Sequence, residues 1–165
     1  MVRFLCELIA SRLPSITIPK PDGKPYLTRY FFLGEEKPGI NVFLHYFHSS
    51  DMDRSPDNGS LLLHNHTWSD SVSLILFGGY SEERRAGYSP IITRRRFPAW
   101  SFNYIRNIDF HRVDLLDERN GGWSIFITSK RAEKNGRWGF WDRENYDYTD
   151  AEEMIKRMGK EVFIP

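Results

Sequence analysis

The chain has 165 residues, a near-balanced charge (23 Lys and Arg against 22 Asp and Glu, net +1) and 40% hydrophobic residues. That is enough to bury one core, and the balance removes the bulk attraction on which general nucleic-acid or anionic-membrane binding depends. A lone cysteine, Cys6, excludes an internal disulfide and gives no sign of an oxidising compartment, so a cytoplasmic location is the default expectation.

The first thirteen residues predict a short amphipathic helix with Phe4, Leu5, Leu8 and Ile9 on its packing side, ended by Pro14. Its apolar stretch is too short to span a bilayer, and Glu7 interrupts it too early for a signal-peptide core. "SITIP" (15–19) predicts a β-branched strand and "PKPDGKP" (19–25) a turn. "YLTRYFFLG" and "GINVFLHYFHS" predict further strands. In the second, Phe43, His45 and Phe47 share one face against Val42, Leu44 and Tyr46. "SDMDRSPDNGS" (50–60) predicts a loop. "FNYIRNI", "FHRVDLL" and "WSIFITS" predict later strands separated by turns such as "DERNGG".

Near the C-terminus, Thr149 and Glu152 have capping-box spacing. Lys156 and Arg157 trail, and Gly159 can stop a helix of about 150–158. Short strands at regular spacing predict an all-β fold, an antiparallel β-barrel or jelly roll over about 15–141, with short helices at both ends and a single domain spanning 1–165.

The chemistry concentrates in "LLLHNHTWSDSVSLILFGGY" (61–80). Residues i and i+2 of a strand point the same way, so His64 and His66 aim together. After a tight connection, Asp70 heads a second strand whose Val72, Leu74 and Leu76 share its face, which predicts an inward row. Gly78 and Gly79 then allow a turn. His111 shares a face with Val113 and Leu115 and is the best further ligand. Two or three histidines with a carboxylate and open positions suit Fe(II), Mn(II), Ni(II) or Zn(II).

Any one of these histidines alone is more often a core or surface residue, but here several independent spacings agree. His45 lines the cavity or is a hydrogen-bonded core histidine, and His48 faces away from it. Trp68 and Trp100 are the expected pocket walls. Arg94 and Arg96 either grip an anionic substrate or form a charged edge that discourages strand pairing. His-Asn-His is not the signature of the HNH nucleases, whose residues are dispersed through a different, ββα-metal fold. Walker loops, paired catalytic Cys/His and the G-x-S-x-G elbow are absent, and no catalytic acid, base or nucleophile is assigned.

Gly59, four residues, His64-Asn65-His66, three residues, Asp70, seven residues and Gly78 resemble the first motif of the cupin superfamily. That motif runs Gly, five residues, His-x-His, three or four, Glu, six and Gly. Asp70 stands where the motif has Glu and is one methylene shorter, which puts direct ligation in doubt. Pro98-Ala99-Trp100 stands near the Pro-x-Gly turn of the second motif but lacks its glycine. "HNHTW", "SLILFGGYSEE", "HRV" and "WGFW", in that order over about 26–141, are similar to a group of small bacterial and phage cupin-like proteins that carry no settled activity.

The resemblance implies a metal site of His64, His66 and His111, with Asp70 as fourth ligand or orienter. The implied cofactor is a divalent metal, Fe(II) first, with Zn, Mn or Ni as alternatives. The leading reading is a mononuclear non-haem iron dioxygenase or related oxygenase acting on a small organic substrate. The competing readings are a metal-assisted isomerase, epimerase or lyase, and a non-catalytic cupin binding a small ligand or a partner protein. The expected partner is a small molecule rather than nucleic acid or membrane, and a homodimer is compatible with the sequence.

Overall fold

A computed structural model describes residues 1–20, 23–34, 36, 38–51, 53–132 and 138–157. Helix α1 (Val2–Ala10) leads into strands β1 (Ser15–Pro19), β2 (Pro25–Phe31), β3 (Asn41–Phe47), β4 (Leu62–His64), β5 (Asp70–Phe77) and β6 (Gly79–Arg85). Then come β7 (Ile92–Pro98), β8 (Phe102–Arg106), β9 (Phe110–Leu115), β10 (Gly122–Thr128), β11 (Gly139–Asp142), β12 (Asp147–Asp150) and helix α2 (Ala151–Arg157). No described helix is long and apolar enough to cross a membrane.

Two six-stranded antiparallel sheets result, in the orders β1-β2-β3-β10-β5-β8 and β12-β11-β4-β9-β6-β7. The antiparallel pairs are nested: β6 with β7, β5 with β8, β4 with β9 and β3 with β10. Successive pairs fall in alternate sheets, which is a long hairpin rolled into a jelly roll. The sheets do not close into a barrel, because β1, β8, β7 and β12 remain edges.

Gly78 and Gly79 carry the chain from one sheet to the other. Their φ values are +75° and +131°, and a Cβ at Gly78 would stand 2.5 Å from the Gly121 carbonyl oxygen. Only glycine fits that corner without strain.

The first sheet is covered on its inner face and, under α1, on part of its outer face. Register puts Arg29, His45, Ser124 and Ile75 in one inward row, and Phe31, Phe43, Phe126, Ser73 and Asn103 in the next. On its outer face lie Leu44, Tyr46, Leu76, Trp123 and Ile125, and α1 packs there. The face of α1 that does so is Val2, Cys6, Ile9 and Ala10, so of the predicted stripe only Ile9 packs: Phe4 is 69% exposed, and Leu5 and Leu8 are exposed too. The small Cys6 and Ala10 let the helix approach the Trp123 and Tyr30 rings, which bulkier residues on that face would hold off.

Helix α2 packs Ala151 and Met154 on Leu62 and Phe140. Its cap is Asp150, whose carboxylate accepts the Glu152 N–H at 3.1 Å. Thr149, the predicted capping residue, is instead paired with Phe140 in β12. Gly159, the predicted helix stop, lies outside the described residues.

Candidate metal centre

His64 ends β4, and its Cα partner across the sheet is His111 of β9. The nested pairing that defines the fold therefore puts two imidazoles side by side. Asn65, between the two histidines of the motif, is buried and structural. Its side chain donates to the Asn107 carbonyl (2.7 Å) and accepts the Gly139 N–H (2.7 Å), pinning the chain where β4 ends. His66 follows, with its Nε2 2.8 Å from Nε2 of His111. Ring centroids are 4.8 Å apart for His64–His111, 4.9 Å for His66–His111 and 5.6 Å for His64–His66.

One ligand atom from each histidine lies within 4.8 Å of the other two. Two nitrogens bound at right angles to one ion at about 2.0–2.1 Å stand about 2.9 Å apart, which matches the His66–His111 spacing. A pair at the 4.8 Å limit needs to close by about 1.5–1.9 Å to take neighbouring positions on one ion, which asks for a rotation of the rings.

Two of the rings are held from behind by carboxylates. Nδ1 of His111 lies 2.6 Å from Oε1 of Glu82, itself 1% exposed and bonded to Arg84 (2.7 Å) and Asn103 (3.0 Å). Nδ1 of His64 stands 3.0 Å from Oδ2 of Asp51, an ion pair whose geometry falls short of a well-directed hydrogen bond. Both contacts leave Nε2 to face the centre. A carboxylate on the outer nitrogen is the usual arrangement behind a metal-binding imidazole, since it fixes tautomer and ring orientation.

Burial, and then the charges of His111 and His64, hold His66 well below the usual histidine range. Burial also lowers His111, with Glu82 opposing. For His64, burial is outweighed by Asp51, which raises it. Burial alone would raise Glu82, but the His111 bond and Arg84 bring it down to about 2. His66 and His111 are thus neutral at neutral pH: Nδ1–H of His111 donates to the buried carboxylate of Glu82, and its Nε2 lone pair accepts the Nε2–H of His66, a proton that His66 must shed or move to Nδ1 to ligate an ion through that nitrogen.

The other predicted site residues divide. Trp68 is buried and stacks on His66 (5.8 Å), with Phe126 5.5 Å from the same ring. His45 points inward, stacked on Phe126 at 4.8 Å, and accepts a hydrogen bond from Arg29 Nε at 3.3 Å.

Asp70 does not join the histidines: its carboxylate accepts the Tyr104 hydroxyl on the outer face of the first sheet. The inward row of β5 is Ser71, Ser73 and Ile75, while Val72, Leu74 and Leu76 face outward, half-buried, with Leu76 packed beside α1. Trp100 is 64% exposed on the turn between β7 and β8, with φ +69°, and is no pocket wall. Arg94, Arg95 and Arg96 are all exposed on edge strand β7, where Arg94 pairs with Asp114.

Three residues at the centre escaped sequence reasoning: Glu82, Asp51 and Arg29. Glu82 carried no usable signal, since the two faces of its strand read alike, Glu82 and Arg84 on one against Glu83 and Arg85 on the other. Asp51 sits in a loop without pattern.

No family profile and no curated relative matches the sequence. The fold is similar to that of cupin-like solved structures. Fe(II)-HppE with the alternative substrate (S)-1-HPP has a TM-score of 0.52 at 10% identity, over 72% of this chain and 57% of that one. The chain thus spans little more than half the length of that protein. KdgF from Halomonas sp. gives 0.47 at 13% identity (76% and 94% covered). Drosophila melanogaster CENP-C bound to CAL1 gives 0.49 at 10% identity (78% and 93% covered). At these identities the likeness is one of fold alone.

Proposed function

We propose that the chain is a mononuclear metal enzyme in which His64, His66 and His111 hold one divalent ion, Fe(II) by preference, beside a site where a small organic substrate is oxidised with O2. One observation carries this reading: three imidazoles meet, two of their Nε2 atoms at cis-ligand spacing, with buried carboxylates behind two of the rings. Without an ion the 2.8 Å contact is a hydrogen bond between two neutral rings; the third imidazole facing that pair and the carboxylates behind two of the rings are what favour a metal site.

When bound, the ion supplies Lewis acidity and, as Fe(II), one-electron chemistry with O2. The chain's own residues do the rest. Glu82 and Asp51 fix the outer nitrogens of His111 and His64. Trp68, Phe43 and Phe126 form an apolar wall beside His66 that keeps water from the reacting side. Three imidazole ligands leave other coordination positions open for substrate and O2. The preference for iron draws support from the Fe(II)-bound HppE structure of similar fold.

The test is metal analysis of untagged protein, then anaerobic Fe(II) reconstitution and O2-uptake measurements over a panel of small organic acids. One equivalent of metal and substrate-dependent O2 uptake are expected. Turnover with Zn(II) or Mn(II) and no O2 consumption would replace oxidation by isomerase or lyase chemistry. Failure to bind any divalent ion at micromolar concentration would remove the enzyme reading.

A further inference from the structure

Arg29 of β2 is the charged side chain that the metal reading leaves unexplained. It points into the space between the sheets and is only 6% exposed. Its guanidinium lies over the Phe43 ring (4.8 Å to the centroid) and the Trp68 ring (5.1 Å). Its Nε donates to His45, and this is its one hydrogen bond among the described residues. A guanidinium carries five N–H donors, so the four on Nη1 and Nη2 have no protein acceptor there.

No described carboxylate pairs with it. Glu36, which acts on it from a distance, is held by Arg131 at 2.8 Å. A buried charge without a counter-ion is costly, and proteins retain one where something else completes the pair.

The neighbours continue the polar lining. Ser124 shares Arg29's inward row, and its Oγ is buried without a partner; so is the indole N–H of Trp68. From Arg29 the path to the histidines runs along aromatic faces: Trp68 touches both the guanidinium and His66, and His45 leads through Phe126 to the same ring. The site thus has a cationic end, an aromatic middle and a metal-binding end.

We infer that Arg29 is the anion anchor of this site, binding the carboxylate of a small organic acid whose planar or apolar body lies along Trp68, Phe43 and Phe126 toward the three histidines. A guanidinium fork matches a carboxylate two-to-two, and one guanidinium balances one carboxylate charge. A doubly charged phosphate would leave a net negative charge buried among aromatics. The inference rests on the metal reading only for what meets the far end of the ligand; the anchor itself needs no metal.

The experiment uses the full chain, first stripped of metal and then titrated with zinc. Benzoate, its neutral isostere benzamide and inorganic phosphate are the probes. Binding is followed by thermal shift and by the ¹⁵N resonance of the Arg29 Nε–H, identified by its loss in R29K. Benzoate should bind the metal-free wild type roughly tenfold or more tighter than benzamide, move the Arg29 resonance, and lose that advantage in Arg29→Met.

Equal binding of benzoate and benzamide, or an unmoved Arg29 resonance, overturns the anchor. Phosphate moving that resonance at lower concentration than benzoate overturns the carboxylate assignment. If Arg29→Met does not fold, the wild-type comparison and the resonance decide alone. Zinc failing to bind while benzoate still finds Arg29 would remove the metal reading and leave the anchor. Zinc binding without benzoate recognition would do the reverse.

Discussion

Glu82→Gln is the most informative single change, because it keeps the shape of the side chain and removes only its charge. In the wild type the carboxylate is held near a pKa of about 2 against an ordinary 4.5. A depression of that size corresponds to about 3 kcal/mol of preference for the ionised form in the folded protein. The sign follows from the depression: the contribution is complete above the unfolded pKa near 4.5 and drains away as pH falls toward 2. Glutamine can still accept from His111, but its amide N–H₂ cannot accept from Arg84, which loses the counter-ion 2.7 Å away.

Urea denaturation of the metal-free proteins at pH 7 should therefore show the variant less stable by up to about 3 kcal/mol. Between pH 5 and 3 its stability should fall less steeply than that of the wild type. Metal affinity should drop roughly 10–100-fold, the usual effect of losing the group that orients a ligating imidazole. Equal stability at pH 7 with the same acid slope would show that Glu82 is not ionised in the fold. Unchanged metal affinity would show that His111 is not held through it.

His64→Ala, His66→Ala and His111→Ala should each abolish divalent-metal binding at micromolar concentration in a calorimetric titration, whereas Asp70→Asn, on the outer face with Tyr104, should bind like the wild type. Removing residues 1–13 uncovers Leu44 and Trp123 and should lower the melting temperature by several degrees, while Leu8→Ser, on the exposed face of α1, should shift stability by no more than about 0.5 kcal/mol. Gly78→Ala forces a Cβ to within 2.5 Å of a carbonyl oxygen at positive φ and should cost more than about 1 kcal/mol by chemical denaturation. Asp150→Ala removes the cap of α2 and should cost about 1 kcal/mol in the same assay.

His111 was legible because period-two alternation in β9 aims it inward with Val113, and His64 and His66 do converge as strand neighbours would, although β4 ends at His64. Asp70 was misplaced by the same rule. Alternation identifies the buried face only when that face is the apolar one, and in β5 the buried row carries two serines while the apolar row is half-buried. Its apolar row went outward, and the serines went inward. The same inversion hid the true face of α1, where the packing residues are the small Cys6 and Ala10 rather than the large Phe4 and Leu8. Glu82 was invisible inside "SEERR", because a run of charges ordinarily means a solvated surface. Arg29, between Thr28 and Tyr30, carried no mark that separates a buried guanidinium from an exposed one. Trp100 was drawn toward the pocket by its place in a motif, whereas its local conformation makes it the outer corner of a turn.

The join between β4 and β9 is narrow: His64 opposite His111 is its one register pair, while β6 and β9 share six and β11 and β12 share four. The second sheet is thus two panels hinged on a single rung, one carrying β4, β11 and β12 and the other β6, β7 and β9. The Asp51 N–H bonded to the Val113 carbonyl and Arg112 bonded to the Asp51 carbonyl brace it from one side. An ion taken up by His64 and His111 would act as a rivet through that hinge, so occupancy would be felt as stiffness well away from the ligands. Amide exchange at β11 and β12 would slow on loading, although those strands supply no histidine, and α2, packed on Phe140, would be steadied along with them.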